Sequence, residues 1–283
     1  MMSLCKTSFD NYFSVIYGLW KNKYPINAIE RKGRSVTLRS FAEICIYLFL
    51  RVQKEFIYDI EKDEIAIQGD RFGSEKEIIV LKGGVSNGDV VSVFLNGEYA
   101  GLPVRGKTVV DIGANIADSS IYFALCGASR VISFEPFPYI FEFAKENVDK
   151  NSLSDKIQLV LAGCSGTLGS IMVNRDDHEK WILRESRGGV RVPLLTIGSI
   201  VERYHVKPGS ILKIDCEGCE YDTLLSCDKR DLMHFSHIQI EYHHGFKNLK
   251  EKLETSDFMV RISPPTKRRN MYTGMIHATR KCQ

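Results

Sequence analysis

Three short acidic segments have residue types and spacings that could do chemistry. The first runs from Val109 to Ser120 as VVDIGANIADSS. An apolar run, a turn of small residues and a helix start follow one another there. Such a turn lets backbone at Gly113, Ala114 and Asn115 approach a ligand, with Ser119 at the helix start. Glu135 lies 24 residues after Asp111, at the end of a second apolar run. An acid in that place can accept hydrogen bonds from both hydroxyls of a ribose. Phe137 just beyond it, and Cys164 after the third apolar run, complete the candidate ligand contacts.

The second segment is LKIDCEGCEY, residues 212–221, and the third is QIEYHHG, residues 239–245. In an extended chain alternate residues share a face, which pairs Asp215 with Glu217 and Glu241 with His243. Two acids at the carboxyl end of a strand can orient an acceptor hydroxyl, share a cation or hold an amino group. An imidazole beside them could take a proton near neutral pH. The four are the candidate catalytic residues. Asp215 is also a candidate for the cofactor's amino group. Carboxylates with one imidazole would suit magnesium or manganese more than zinc, but spacing alone does not assign a metal.

The ligand class follows from what the first segment lacks. A dinucleotide fingerprint wants three glycines spaced GxGxxG, and Gly113 is followed by Asn115 and Asp118 in the other two places. Asp118 would repel a pyrophosphate at a helix N-terminus, where anions are otherwise favoured. Asp111 instead suits a ligand with a positive amino group. S-adenosylmethionine has an ammonium, a sulfonium and a ribose but no phosphate, and fits Asp111 and Glu135 better than a nicotinamide dinucleotide does.

The run VVDIGANIADSSIYFALCGASRVISFEPFP, then LKIDCEGCEYDTLL, then IQIEYHHG, resembles the FkbM family of S-adenosylmethionine-dependent methyltransferases. The resemblance covers roughly residues 88–262. It implies a class I methyltransferase sheet and transfer of a methyl group, usually to a hydroxyl oxygen of a sugar, glycan or polyketide-like acceptor. Ala117 departs from the family, which more often has glycine there.

The elements that must position these residues change character along the chain. Residues 9–20 and 41–51 have helical apolar spacing, with strand-like runs at Ser35–Arg39, Phe56–Asp59, Glu64–Gln68, Glu77–Leu81 and Val90–Leu95. After residue 105, strands alternate with helices, the signature of a doubly wound α/β sheet. Only a short loop separates Phe258–Ile262 from Met271–Ala278, too short for a parallel crossover. The expected architecture is six parallel strands plus one antiparallel. The chain divides into an α+β extension over 1–87, a candidate substrate cap, and a methyltransferase domain over 88–283.

Composition bounds the partners. The 38 Lys and Arg against 35 Asp and Glu leave a net charge of +3, too balanced for a chain devoted to polyphosphate binding. A small-molecule or glycan acceptor is therefore expected. RNA methylation through the basic 264–270 loop is the alternative. That loop could meet phosphate or carboxylate on an acceptor, and the 164–210 insertion with Arg175, Arg184 and Arg187 could form a lid or an extra hairpin. No signal peptide or membrane span is evident, so a cytoplasmic location is expected. Eight scattered cysteines need no disulfide framework, and Cys216-x-x-Cys219 is a weak metal or redox signal.

Overall fold

The run TVVDI (Thr108–Ile112) forms strand β6, and its last four residues are all buried. Burial on both faces is what parallel strands under two helix layers require. In the computed structural model, residues 1–53, 55–72, 77–83, 89–174, 183–268 and 271–281 are described. The chain forms two units, Met1–Glu98 and Tyr99–Gln283. The 87/88 division falls at residues outside the described set.

In the larger unit, β6 leads through helix α4 (Asp118–Leu125) to β7 (Arg130–Glu135), and through α5 (Pro138–Lys150) to β8 (Ile157–Leu161). An insertion holds β9 (Gly163–Cys164), β10 (Gly169–Val173), β11 (Val190–Leu195) and α6 (Ile197–Arg203). Then follow β12 (Ser210–Ile214), α7 (Cys219–Leu225), α8 (Lys229–Leu232), β13 (Phe235–Tyr242), α9 (Lys247–Thr255), β14 (Phe258–Ile262), β15 (Thr266–Arg268) and β16 (Met271–Arg280).

The main sheet has the order β14-β16-β13-β12-β6-β7-β8. The pairs from β13 through β12, β6 and β7 to β8 are parallel. β16 lies antiparallel between β13 and β14. Six strands therefore run one way and one runs against them, as the sequence leads one to expect. The reversal follows from the short connection before β16, which cannot cross the sheet.

Two loop expectations change. The 264–270 segment is not a plain basic loop, because Thr266–Arg268 pairs with Met271–Thr273 as a hairpin; Arg269 and Asn270 lie outside the described residues. The 164–210 insertion contains an antiparallel β10–β11 hairpin, with β11 also pairing parallel to β9. Arg184 and Arg187 precede β11, and Arg175 lies outside the described residues. α6 begins with a reciprocal cap between Thr196 and Ser199, which satisfies two backbone N–H groups.

In the smaller unit, α1 (Met2–Ser8), α2 (Tyr12–Trp20) and α3 (Phe41–Leu50) accompany the antiparallel hairpin of β1 (Ile26–Ile29) and β2 (Ser35–Leu38). Phe9, Val15, Ile44 and Tyr47 are core residues there. A three-stranded antiparallel sheet follows, made of β3 (Phe56–Asp59), β4 (Glu64–Gln68) and β5 (Ile78–Lys82). The run Val90–Leu95, expected as a strand, instead forms one wide helical turn over Val91–Leu95, closed by Asn96 N–H to the Val91 carbonyl. A short apolar run has no periodicity that separates the two. Among the described residues, no helix is long and apolar enough to cross a membrane.

Candidate active site

The parallel register sets Lys213 of β12 beside Asp111 of β6. Both side chains are buried, with Lys213 Nζ 3.0 Å from Asp111 Oδ1. The contact is an ion pair without the alignment of a hydrogen bond on Oδ1. Asp111 Oδ2 accepts from Ser119 Oγ at 2.7 Å and from Ser120 Oγ at 2.6 Å. Lys213 Nζ also donates to the Gly113 carbonyl at 2.6 Å. The expectation that Asp111 takes a cofactor ammonium is thus corrected: its charge is met inside the chain. Ser119 is likewise turned to Asp111. A buried carboxylate is stable only when paired and hydrogen-bonded, and this one is both.

Burial alone would lower the Lys213 pKa; the carboxylates of Asp111, Asp215 and Asp118 outweigh it and raise it. Asp118, also buried, is raised to about 7 by burial, against the pull of Lys213. One ammonium thus serves two buried acids, and one of them is held partly protonated at neutral pH.

Gly113 adopts a φ of +80°, and a Cβ there would lie 1.7 Å from the Asp215 carbonyl oxygen. Glycine is required because the loop after β6 passes directly against the end of β12. Asp215 N–H donates to the Ile112 carbonyl at the same junction. The two acidic segments are therefore physically joined, as the sequence alone could not show.

Glu135 ends β7 and is buried. Its Oε2 accepts from Asn115 N–H and its Oε1 from Phe137 N–H, each at 2.9 Å. Burial raises its pKa to about 8, against the two backbone N–H groups that favour the carboxylate. Asn115 and Phe137 thus act through their backbones. Ala114 is buried in the same loop. Cys164 is corrected to a core residue, packed in the apolar cluster with Leu195 and Val160.

At the carboxyl ends of β12 and β13 lies a second cluster. Ile214 pairs with Ile240, so one further step sets Asp215 beside Glu241. One ligand-type atom each from Asp215, Glu241 and His243 lies within 4.8 Å of the others. Glu217 Oε2 is 3.3 Å from His243 Nε2, and Glu217 is 44 % exposed. On the other ring nitrogen, Nδ1, stands the buried carboxylate of Glu220, at 3.0 Å. Glu220 Oε1 also accepts the His243 backbone N–H, and Oε2 accepts Gly218 N–H.

Burial alone would lower the His243 pKa. The hydrogen bond to Glu220 and the charges of Glu217, Glu220 and Asp215 outweigh it and raise it to about 9. The acids on both sides of the ring thus favour its protonated form.

Two features were not singled out from sequence. Lys213 was legible, because LKID and VVDI end neighbouring strands of the sheet the resemblance implies. Glu220, at the start of α7, is not among the candidate catalytic residues. Cys216 and Cys219, a weak metal or redox signal in the sequence, form a disulfide across Glu217 and Gly218. The bridged turn carries positive φ at Glu217 (53°) and Gly218 (117°). Tyr221 ties α7 to the end of β13, donating to the Gly245 carbonyl and accepting His244 N–H, each at 2.7 Å.

The model of the methyltransferase FkbM domain matches residues 111–265, more than half of the chain, from Asp111 to the loop after β14. The chain belongs to the FkbM methyltransferase family. A 61-residue stretch is 36 % identical to ribosomal protein L11 methyltransferase of Aeromonas hydrophila, covering 22 % of this chain and 21 % of that protein. The enzyme of the same name from Carboxydothermus hydrogenoformans is 31 % identical over 107 residues, 35 % of each chain. The FkbM chain thus spans about a fifth to a third of these curated relatives. Among solved structures it is similar to M. capricolum TrmK in complex with S-adenosyl-homocysteine, with a TM-score of 0.43 and 14 % identity over 66 % of this chain and 68 % of that one.

The family's cofactor is S-adenosylmethionine, and Glu135 tests the fit. Each of its oxygens accepts one backbone N–H. Each oxygen keeps acceptor capacity beyond that one bond, and two ribose hydroxyls donating there would favour the carboxylate over the proton that burial otherwise holds. The residues present therefore fit the ribose of the cofactor.

Proposed function

We propose that this FkbM-family chain is an S-adenosylmethionine-dependent O-methyltransferase acting on a hydroxyl of a saccharide or other small polar metabolite. The observation that carries the reading is the convergence of Asp215, Glu217, Glu241 and His243 at the carboxyl ends of β12 and β13, against the Gly113 loop. Ligands gather at that edge of doubly wound sheets.

When bound, the cofactor supplies an electrophilic sulfonium methyl group. The protein's work is to hold both partners in line and to remove the acceptor's proton. Glu135 would hold the ribose. Asp215, joined to the Gly113 loop, and the exposed Glu217 would receive the hydroxyl proton, each as a carboxylate within reach of the same space. His243, protonated and fixed by Glu220, would donate a hydrogen bond to the oxygen that develops charge. Loss of the hydroxyl proton as the carbon–oxygen bond forms leaves a neutral ether.

The near-neutral net charge of +3 favours a small acceptor over RNA. The test is methyl transfer from labelled cofactor to a panel of saccharides, small hydroxylated metabolites and total RNA. The reading expects label in a base-stable ether on a small acceptor, lost in Asp215→Asn and Glu135→Ala. Label in RNA alone would overturn it.

A further inference from the structure

Helix α2, YFSVIYGLW, contains no charged residue. Val15 and Gly18 lie on its inner side and are buried, Val15 in the core of the smaller unit. Phe13, Tyr17 and Trp20, spaced four and three residues apart, fall on one line along the opposite side. They are 73 %, 56 % and 74 % exposed. A helix that is apolar all round is ordinarily covered on every side. Here the chain covers one side and leaves three large aromatics in the open.

The charge around that face selects its partner. Lys21, Asn22 and Lys23 follow the helix directly, and all three are exposed. Lys21 Nζ stands 4.1 Å from the centre of the Trp20 ring, so one cation is held at the edge of the aromatic line. Neither lysine has a carboxylate partner among the described residues. Residues 1–34 hold six Lys and Arg against two Asp and Glu, a net +4, whereas the whole chain carries +3. The excess positive charge therefore lies in the stretch that bears the aromatics.

Three aromatics offer at most about 250 Å2 each, so no more than roughly 500 Å2 is open at these exposures. A stable interface between two proteins takes about 800 Å2 from each. A second copy meeting this face across a two-fold axis would also set lysine against lysine. An anionic lipid surface meets neither obstacle. It accepts a short apolar face at the depth of the headgroups, where Tyr and Trp rings settle, and it attracts each nearby lysine.

We propose that α2 docks the chain on an anionic membrane surface, with Phe13, Tyr17 and Trp20 among the headgroups and Lys21 and Lys23 against lipid phosphate. The helix lies on the surface and does not cross it, since its nine residues span about 14 Å where the hydrocarbon core is about 30 Å thick. Docking requires no methyl transfer and leaves the reading of the β12–β13 edge as it is.

The experiment is flotation of the full chain with vesicles of phosphatidylcholine and phosphatidylglycerol, and with vesicles of phosphatidylcholine alone. Trp181→Phe leaves Trp20 as the single tryptophan, whose emission should shift to the blue on binding. Binding is expected only with the anionic lipid and should weaken as salt rises. Lys21→Ala with Lys23→Ala should weaken it about 25-fold, at about 5-fold for each lysine beside an anionic surface. Tyr17→Ser with Trp20→Ser should weaken it at least about 10-fold. Met259→Ser, at an exposed apolar position on β14, should leave it unchanged. Circular dichroism of each variant separates these losses from unfolding. Equal binding to uncharged vesicles, no binding to either kind, or binding that the α2 variants leave unchanged would overturn the proposal. So would a dimer in analytical ultracentrifugation that Trp20→Ser dissociates, because a second copy would then cover the face.

Discussion

Two clusters of charge lie on the same sheet and do opposite things. Asp111, Asp118 and Lys213 sit inside it, where the lysine meets the acids and two serine hydroxyls complete Asp111. Asp215, Glu217, Glu241 and His243 sit at its carboxyl edge, partly open, with carboxylates in excess of the one imidazole. The inner cluster is internally balanced and leaves no charge for a ligand. The outer one gathers at the carboxyl edge, where ligands of doubly wound sheets bind. The same side-chain types are thus sealed in the sheet in one place and set at its open edge in the other.

The sharpest way to break this contrast is to unbalance the inner cluster. Lys213→Met should cost about 3–5 kcal/mol in denaturant unfolding, because it leaves Asp111 buried without its cation. Lys213→Met combined with Asp111→Asn should recover part of the loss. Glu217→Gln, at an exposed position in the outer cluster, should stay within about 1 kcal/mol while lowering methyl transfer. If Lys213→Met proved as mild as Glu217→Gln, the contrast would be wrong.

Glu135 gives a pH signature. Its folded pKa, about 8, lies above the ordinary 4.5. Between those values the folded chain keeps a proton that the unfolded chain has released. Its contribution to stability is thus fully present below pH 4.5, declines as pH rises, and levels off above 8, with a slope of up to about 1.4 kcal/mol per pH unit. Thermal melts from pH 5 to 8 should show Glu135→Gln gaining on the parent as pH rises. A constant offset between the two would refute the buried, raised carboxyl.

The disulfide should have a smaller effect. Closing a four-residue loop is worth at most about 2 kcal/mol by chain entropy. Reduction, or Cys216→Ala with Cys219→Ala, should lower the melting temperature modestly. It should lower methyl transfer more, because the bridged turn carries both Glu217 and the Gly218 N–H that fixes Glu220. Equal losses in both would place the bridge in stability alone.

The smallest effect is expected at Ala117, buried at a φ of 66°. Glycine would relieve about 1 kcal/mol of left-handed strain and remove a methyl worth about 0.8 kcal/mol. Ala117→Gly should therefore be neutral within about 1 kcal/mol in denaturant melts, which explains how alanine stands where the family more often has glycine.

Much of the sheet was legible because parallel strands announce themselves as continuous apolar runs between helical segments. The short Ile262–Met271 connection likewise dictated the reversed strand. The run Val90–Leu95 misled, since five apolar residues around Ser92 carry no period. Of the site, Glu135, Asp215, Glu241 and His243 were legible from their places at strand ends. Asp111 was misread because its strand-end position says nothing of what stands opposite, and Cys164 because a cysteine after a strand may face either side.

By itself the sequence determined the alternation of elements, the acids at their carboxyl ends, and the FkbM family, because these are properties of local pattern and order. The tertiary structure alone decided which acid meets which cation. Register set Lys213 against Asp111, close backbone passage tied Gly113 to Asp215, and a helix start brought Glu220 to His243. Charges act through space, and residues 100 apart in the chain, such as Gly113 and Lys213, become neighbours only when the sheet is built.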